Sequence, residues 1–339
     1  MHRVGERTIL LPGRPRWVTG ASIAGRKEGE GPLRADFDLV VEDDLFGEKS
    51  WELAEAHLQH AAATTCLEKA GITPGQVDVL LGGDLLNQII ATSLSARELG
   101  VPFLGLYGAC STMAEGLCVG AMLVDGGYMR NALCVASSHF CSAERQYRFP
   151  LEYANQRTPT AQWTVTGSGA SLLSSDERLP AVARCTHVTI GAVNDLGVTD
   201  ANNMGAAMAP AAADTLTHHF QDTGRSAADY DLIITGDLGQ VGHDLLLRLM
   251  AERGMPLRAD TYLDCGLAVF SKEQDVHAGG SGCGCSAVVL NGHILRRFQR
   301  GEVRRVLFMA TGALLSTTSS QQGESIPGIA HAIALEADR

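Results

Sequence analysis

Cys110 stands in the run LYGACSTMAEGL (residues 106–117), where a short apolar stretch stops at Gly108 and a helical pattern begins at once. A thiol at a sharp strand-to-helix corner is a usual place for the nucleophile of an acyl-transfer enzyme. A helix start offers free N–H groups and a positive dipole end, and both favour the thiolate. Such chemistry also needs a base and an oxyanion hole. The candidate companions are spread along the chain: His139 after the apolar run ALCVASS, Asp195 in VNDLG, Asp237 closing LIITGD, and Ser281, Gly282 and Cys283 in the loop AGGSGCGCS (278–286). Each also has a plainer reading. His139 could be a hydrogen-bonding strut, and Asp195 a tie for its own loop. The glycine loop carries no lysine and matches neither nucleotide-binding spacing, so its glycines are read as letting backbone approach a pocket. Cys283-Gly-Cys285 has no matching second pair, which argues against a metal site.

The elements that must position these residues occur twice. VDVLLGGDLLNQ (77–88) matches YDLIITGDLGQV (230–241), making Asp84 and Asp237 equivalent, 153 residues apart. GACS (108–111) and GCGCSA (282–287) each lead a helical run, a turn and an apolar strand, so the second half carries an insertion of about 21 residues between the two matches. Apolar runs predict strands at 16–25, 77–83, 102–107, 131–138 and 168–174, then near 182–193, 230–236, 260–263, 305–312 and 329–336. Helical spacing predicts helices at 50–70, 90–99 and 111–125, then near 204–221, 240–253 and 284–300. Residues 140–165 fit no regular element and predict a loop over a pocket. The pattern is α/β, with halves at 1–178 and 179–339 and equivalent corners meeting at one pocket.

Composition narrows the function. Of 339 residues, Lys and Arg number 27 and Asp and Glu 38, for a net charge of −11. That argues against nucleic acid as a partner and gives no hold on an anionic membrane. An anionic ligand would need local donors, and the helix starts near 110–112 and 284–286 are expected to supply unpaired N–H groups to one cavity. The nine cysteines, most in apolar runs, suit reduced buried thiols. The N-terminal run has too short an apolar core for a signal peptide, and no uncharged apolar run reaches the ~20 residues of a membrane span.

The duplicated halves and the GACS corner resemble the thiolase superfamily. The resemblance implies two mixed five-stranded sheets in an αβαβα layering. In that superfamily a His follows the strand that here is LIITGD, and the glycine loop carries an Asn or a His. This chain has Gly236 and Asp237 at the first place and Ser281, Gly282 and Cys283 at the second. The nucleophile is kept and both partner groups are gone, which implies no catalytic residue and no cofactor. A longer set of runs, among them GGDLLNQ, GACST, AERQ (143–146), TVTGSGA (164–170), MAPAAADT (208–215), AGGSGCGCSAVV and ESIPGIAH (324–331), resembles the stage V sporulation protein AD family over roughly residues 5–336. That resemblance implies a non-catalytic protein that binds dipicolinic acid, with or without calcium. It implies service in dipicolinate uptake and release at germination, beside membrane-embedded SpoVA partners at the spore inner membrane. The ligand residues so implied are Cys110, His139, Asp195, Asp237, Ser281, Gly282 and Cys283, with no metal ligand. The alternative is a Cys110-dependent acyltransferase. A homodimer through strand 131–138 is expected by the same analogy.

Overall fold

Short, almost wholly apolar strands belong in a sheet covered on both faces, and the fold is built on such a sheet. The structure, a computed structural model, describes residues 2–147 and 157–338. It opens with β1 (Thr8–Leu10), β2 (Arg16–Gly25), the single turn α1 (Arg26–Gly29) and β3 (Leu39–Val41). Helix α2 (Trp51–Ala70) follows, capped by the Ser50 side chain on the Leu53 N–H and ended by Gly71 at φ +69°. Next come β4 (Val79–Gly83), α3 (Ile90–Leu99), β5 (Phe103–Gly105), α4 (Thr112–Asp125), β6 (Asn131–Ser138), α5 (Phe140–Tyr147), β7 (Trp163–Thr164) and β8 (Gly167–Ser174). The second half runs β9 (Ala183–Thr189), α6 (Met204–Thr223), β10 (Leu232–Thr235), α7 (Gly239–Glu252), β11 (Tyr262–Asp264), α8 (Cys265–Ala268), β12 (Gly280–Ser281), α9 (Cys283–Val289), α10 (Leu295–Gln299), β13 (Arg305–Ala313), α11 (Thr317–Gln321) and β14 (Gly328–Glu336).

The duplication is written in the hydrogen bonds. Five strands lie in the order β5-β4-β6-β8-β2 and five in the order β11-β10-β13-β14-β9. The central strand of each parallel trio has the same register. Leu81 pairs with Leu104 and Cys134, and Ile234 pairs with Leu263 and Phe308. Asp84 and Asp237 therefore leave equivalent corners. Most of the insertion falls between β11 and α9, where it holds α8 and β12.

Helices α4 and α9 lie between the two strand sets: α4 packs on β6 and β14, α9 on β8 and β2. Helices α2 and α3 cover one outer face, with Leu58, Leu67, Leu80 and Leu133 in its core, and α6 and α7 cover the other, with Leu216, Phe220, Ile233 and Leu307. The layering is the αβαβα expected. The sheet count differs. β2 and β9 pair antiparallel at Arg16–Arg184 and Trp17–Ala183, which joins both sets into one twelve-stranded sheet, with β7 and β12 as a separate parallel pair. Each of β2 and β9 ends its own set of five, and pairing satisfies edge groups that would otherwise be bare.

Three further expectations change. Part of 140–165 is helix α5 rather than loop, and 148–156 lies outside the described residues. The helix expected over 284–300 is interrupted by a wide turn at Leu290–Ile294, where the Asn291 side chain donates to the Ala287 carbonyl (3.0 Å) and bonds the Ser171 hydroxyl (2.5 Å). Strand β6 is paired on both sides, by β4 and β8, so it offers no edge to a second copy; the end strand of that half is β5.

β13 also seats the Cys110 corner. A Cβ added at Gly312 would stand 2.4 Å from the Gly108 carbonyl oxygen and 3.2 Å from the Ser111 nitrogen, both backbone atoms with nowhere to go. Gly312→Ala is expected to cost about 1–3 kcal/mol by overpacking. Gly75→Ala, whose Cβ would meet nothing nearer than 4.0 Å, is expected to stay within about 0.5 kcal/mol of wild type. Urea melts of both variants check this, and equal midpoints would refute the close approach.

Candidate functional site

The corner after β5 is strained and tied back on itself. Ala109 has φ +49°, a left-handed conformation uncommon for a residue with a side chain. The Ser111 and Thr112 hydroxyls donate back to the carbonyls of Gly108 (2.7 Å) and Ala109 (2.6 Å). The Ala109 carbonyl also accepts the Cys283 thiol at 2.9 Å. Cys110 follows, 4% exposed, in the middle of the single turn Ala109–Ser111 that leads into α4.

Asp237 gathers this corner from the second half. It is fully buried and accepts the Gly282 N–H (2.9 Å) and the Ser281 hydroxyl (3.2 Å) on one oxygen and the Thr311 hydroxyl (3.1 Å) on the other. The Cys110 thiol stands beside the same carboxyl. Burial nonetheless pushes Asp237 up to about 7, the donors only partly offsetting it. Burial pushes the Cys110 thiol well above its ordinary value, and Asp237 and Cys283 add to the shift. The thiolate expected from the helix start is thus not favoured: desolvation and a neighbouring acid outweigh the dipole.

The second helix start differs from expectation too. The Gly282 N–H goes to Asp237, the Gly284 N–H to the Ser138 hydroxyl (2.9 Å) and the Cys285 N–H to the Gly282 carbonyl (3.0 Å). These N–H groups hold protein and are not presented to a ligand.

A cavity of about 40 Å³ opens on Cys110 and Ser281. Leu85, Ala143, Glu144, Tyr147, Thr164 and Leu315 form most of its remaining wall. Among the described residues no lysine or arginine lines it. The Tyr147 hydroxyl donates to the Leu85 carbonyl (2.6 Å), and the Thr164 hydroxyl to Glu144 (3.2 Å). Asp237, Gly282 and Cys283 stand behind the wall and shape it. The structure therefore brings five of the seven expected residues together, two on the cavity and three behind it.

The other two lie elsewhere. His139 is 1% exposed; its Nε2 is 2.7 Å from the Asp44 carbonyl oxygen and its Nδ1 accepts the Cys141 N–H (3.2 Å). That makes it a neutral donor at Nε2, and burial lowers its pKa, so it is not the cation a dianion would want. It lines a separate cleft. Asp195 sits exposed on a loop, accepting the Gly197 N–H (2.9 Å) and the Ser325 hydroxyl (2.6 Å), which hold its carboxyl below the usual range. Glu144, Tyr147 and Thr164 were not anticipated. The signal was present: Glu144 falls in the AERQ run, and strand alternation at Trp163–Thr164 sends one side chain to each side of β7. Among the described residues no group of three or more His, Cys, Asp or Glu is placed to hold a metal ion.

The stage V sporulation protein AD family profile matches residues 5–336. Stage V sporulation protein AD of Bacillus subtilis (strain 168) is 46% identical over 336 residues, covering 97% of this chain and 98% of that protein. The chain belongs to the stage V sporulation protein AD family. Its fold is that of the thiolases. Human mitochondrial 3-ketoacyl-CoA thiolase superposes with a TM-score of 0.59 at 13% identity, covering 97% of this chain and 100% of that one. A variant of Xanthomonas campestris OleA superposes with a TM-score of 0.61 at 14% identity, covering 96% and 97%. In this family member no helix among the described residues is long and apolar enough to cross a membrane.

The Asp237 carboxyl makes a testable contribution to stability. Its folded value, about 7, lies above the 3.8 of an ordinary Asp. Between those values the folded state holds a proton that the unfolded state has lost, so this group's contribution falls as pH rises, by at most about 1.4 kcal/mol per pH unit. Asp237→Asn cannot ionise. The stability of Asp237→Asn relative to wild type is expected to improve by a few kcal/mol between about pH 4 and pH 7. Urea melts across that range check it, and a pH-independent difference would mean that Asp237 is ionised throughout.

Proposed function

We propose that this chain is a non-catalytic, thiolase-like binding component of the spore dipicolinate system. It takes dipicolinic acid in the Cys110 cavity and passes it between the cytoplasm and membrane-embedded SpoVA partners at the spore inner membrane. The observation that carries the non-catalytic part is the Cys110–Asp237 contact. The thiol faces a buried acid, no lysine or arginine among the described residues lines the cavity, and the thiol pKa is raised rather than lowered. A thiolate nucleophile needs the opposite surroundings. Family membership supports the sporulation role.

The Ser281 and Thr164 hydroxyls line the wall but already donate to Asp237 and Glu144, so either turns to a ligand carboxylate only by giving up that bond. Glu144 and Asp237 oppose a dianion, so the ligand binds with a proton taken up or with calcium as counter-ion. A space of about 40 Å³ holds a few water molecules at most, so a pyridine dicarboxylate needs Tyr147 and its Leu85 contact to swing aside. That opening costs affinity.

Calorimetric titration with dipicolinate, with and without calcium, tests the reading. Tyr147→Ala removes the closing side chain and is expected to tighten binding severalfold; Cys110→Trp fills the cavity and is expected to abolish it. Unchanged affinity in both variants would place the site elsewhere, and no binding by wild type under either condition would sink the reading. The competing acyltransferase reading has its own readout. Incubation with acetyl- or malonyl-coenzyme A is expected to leave the mass of the protein unchanged, and an adduct that disappears in Cys110→Ala would establish the enzyme.

A further inference from the structure

The layer made by α5 and β7 has a cavity on each side. Tyr147 and Thr164 face the one at Cys110; Phe140 and Trp163 face a second, half-open cleft of about 330 Å³. The far wall of that cleft is the turn after β2, carrying Arg26, Lys27 and Glu28, together with Asp44. The Phe140 and Trp163 rings stack at 4.0 Å between centroids, and the Lys27 ammonium sits 4.2 Å from the Trp163 centroid while donating to the Gln274 carbonyl (2.7 Å). Arg26 is tied to Glu30 at 3.2 Å.

Glu28 is the unusual member. It is 1% exposed, and Oε1 accepts the Thr166 N–H at 3.0 Å. Its Oε2 is buried with no hydrogen-bond partner among the described residues. A buried carboxyl oxygen without a donor is costly and calls for an account. The Asp44 carboxylate, exposed at the rim, has no ion-pair partner among the described residues either. Among the described residues the cleft thus offers a buried carboxyl with one unpartnered oxygen, a rim carboxylate, one lysine held by a single carbonyl and an aromatic edge.

We infer that this cleft is a binding site for a small zwitterion of the α-amino acid class, with its ammonium on Glu28 and Asp44, its carboxylate on Lys27 and its side chain against Phe140 and Trp163. A simple anion would leave Glu28 unanswered and meet Asp44; a simple cation would meet Lys27. The volume suits a molecule of amino-acid size. Burial pushes Glu28 up to about 7, with Lys27 lowering it and Asp44 raising it, so the site is ionised above neutral pH and an incoming ammonium holds it so. Among the described residues, Cys141, His139, Arg26 and Glu30 are the other titratable groups lining the cleft, and the Arg157 guanidinium stands 4.7 Å from the Trp163 centroid. The inference does not rest on dipicolinate or on the Cys110 cavity.

The test is titration of the full chain at about pH 8 with L-leucine, n-butylamine and butyrate, followed by calorimetry and by tryptophan fluorescence, which Trp163 should report. Saturable binding of leucine is expected, with each singly charged analogue at least about tenfold weaker and Cys110→Trp without effect. Glu28→Gln and Lys27→Met are each expected to weaken leucine at least about tenfold. No saturable signal with leucine, butyrate binding as tightly as leucine, or full affinity retained in Lys27→Met would overturn the proposal. Lys27 is partly exposed and its loss leaves the core intact, so that variant decides should Glu28→Gln fail to fold.

Discussion

The buried carboxyl of Asp237 is the interaction on which the site depends. It collects the Gly282 amide, the Ser281 and Thr311 hydroxyls and the Cys110 thiol, which come from the glycine loop, β13 and the opposite half of the molecule. Removing one partner from a buried network of this kind leaves the others unsatisfied, so the four segments are held as a unit. The same acid sets the chemistry. A thiol beside a carboxyl in a dry pocket stays a thiol, whereas beside an imidazolium it would become a thiolate. One residue thus both builds the corner and quiets it.

Much of this is legible in the sequence itself. The strands at 16–25 and 131–138 stand out as apolar or small-residue runs and the helices near 50–70 and 90–99 by their length and end signals, and the structure places them within a residue or so of expectation. The equivalence of Asp84 and Asp237 was legible because the repeat survives in the residues themselves. What failed shares a cause. The three-residue strands β1 and β3 add onto β9 and β2 as edge pieces, and so short a run carries no periodicity to read. α5 was hidden because its eight residues are mostly polar, and its register is set by Ser142 on Glu55 and Tyr147 on Leu85, contacts distant in sequence. The π-turn at Leu290–Ile294 is imposed by Asn291 against Ser171, again a long-range pairing.

Site residues were read less well than elements, for a physical reason. Position at a strand end says that a side chain can reach a pocket, not which way the chain turns next. His139 ends β6 as expected, but the backbone turns into α5 and its imidazole bonds the Asp44 carbonyl in the neighbouring cleft. Asp195 follows β9 and is drawn outward by the Ser325 hydroxyl. Burial was also invisible. A helix start raises thiolate stability by a modest amount, and the desolvation of a fully buried thiol exceeds it. The sequence shows the helix start but not the depth at which Cys110 lies.

The two corners show how a duplication can become a site. In the first half Asp84 turns back on its own loop, accepting the N–H groups of Leu86 and Thr92 and the Thr92 hydroxyl. The equivalent loop in the second half is not held by Asp237. Asp264, at the end of β11, accepts the Leu238, Gly239 and Leu267 N–H groups and the Thr235 hydroxyl instead. With its loop already held, Asp237 is free to reach across to Gly282 and Cys110. The asymmetry follows from an acceptor count: a carboxylate has few lone pairs, and those spent closing a turn are not available to organise a pocket. The second half could bring its acid to the site because another acid closes the turn.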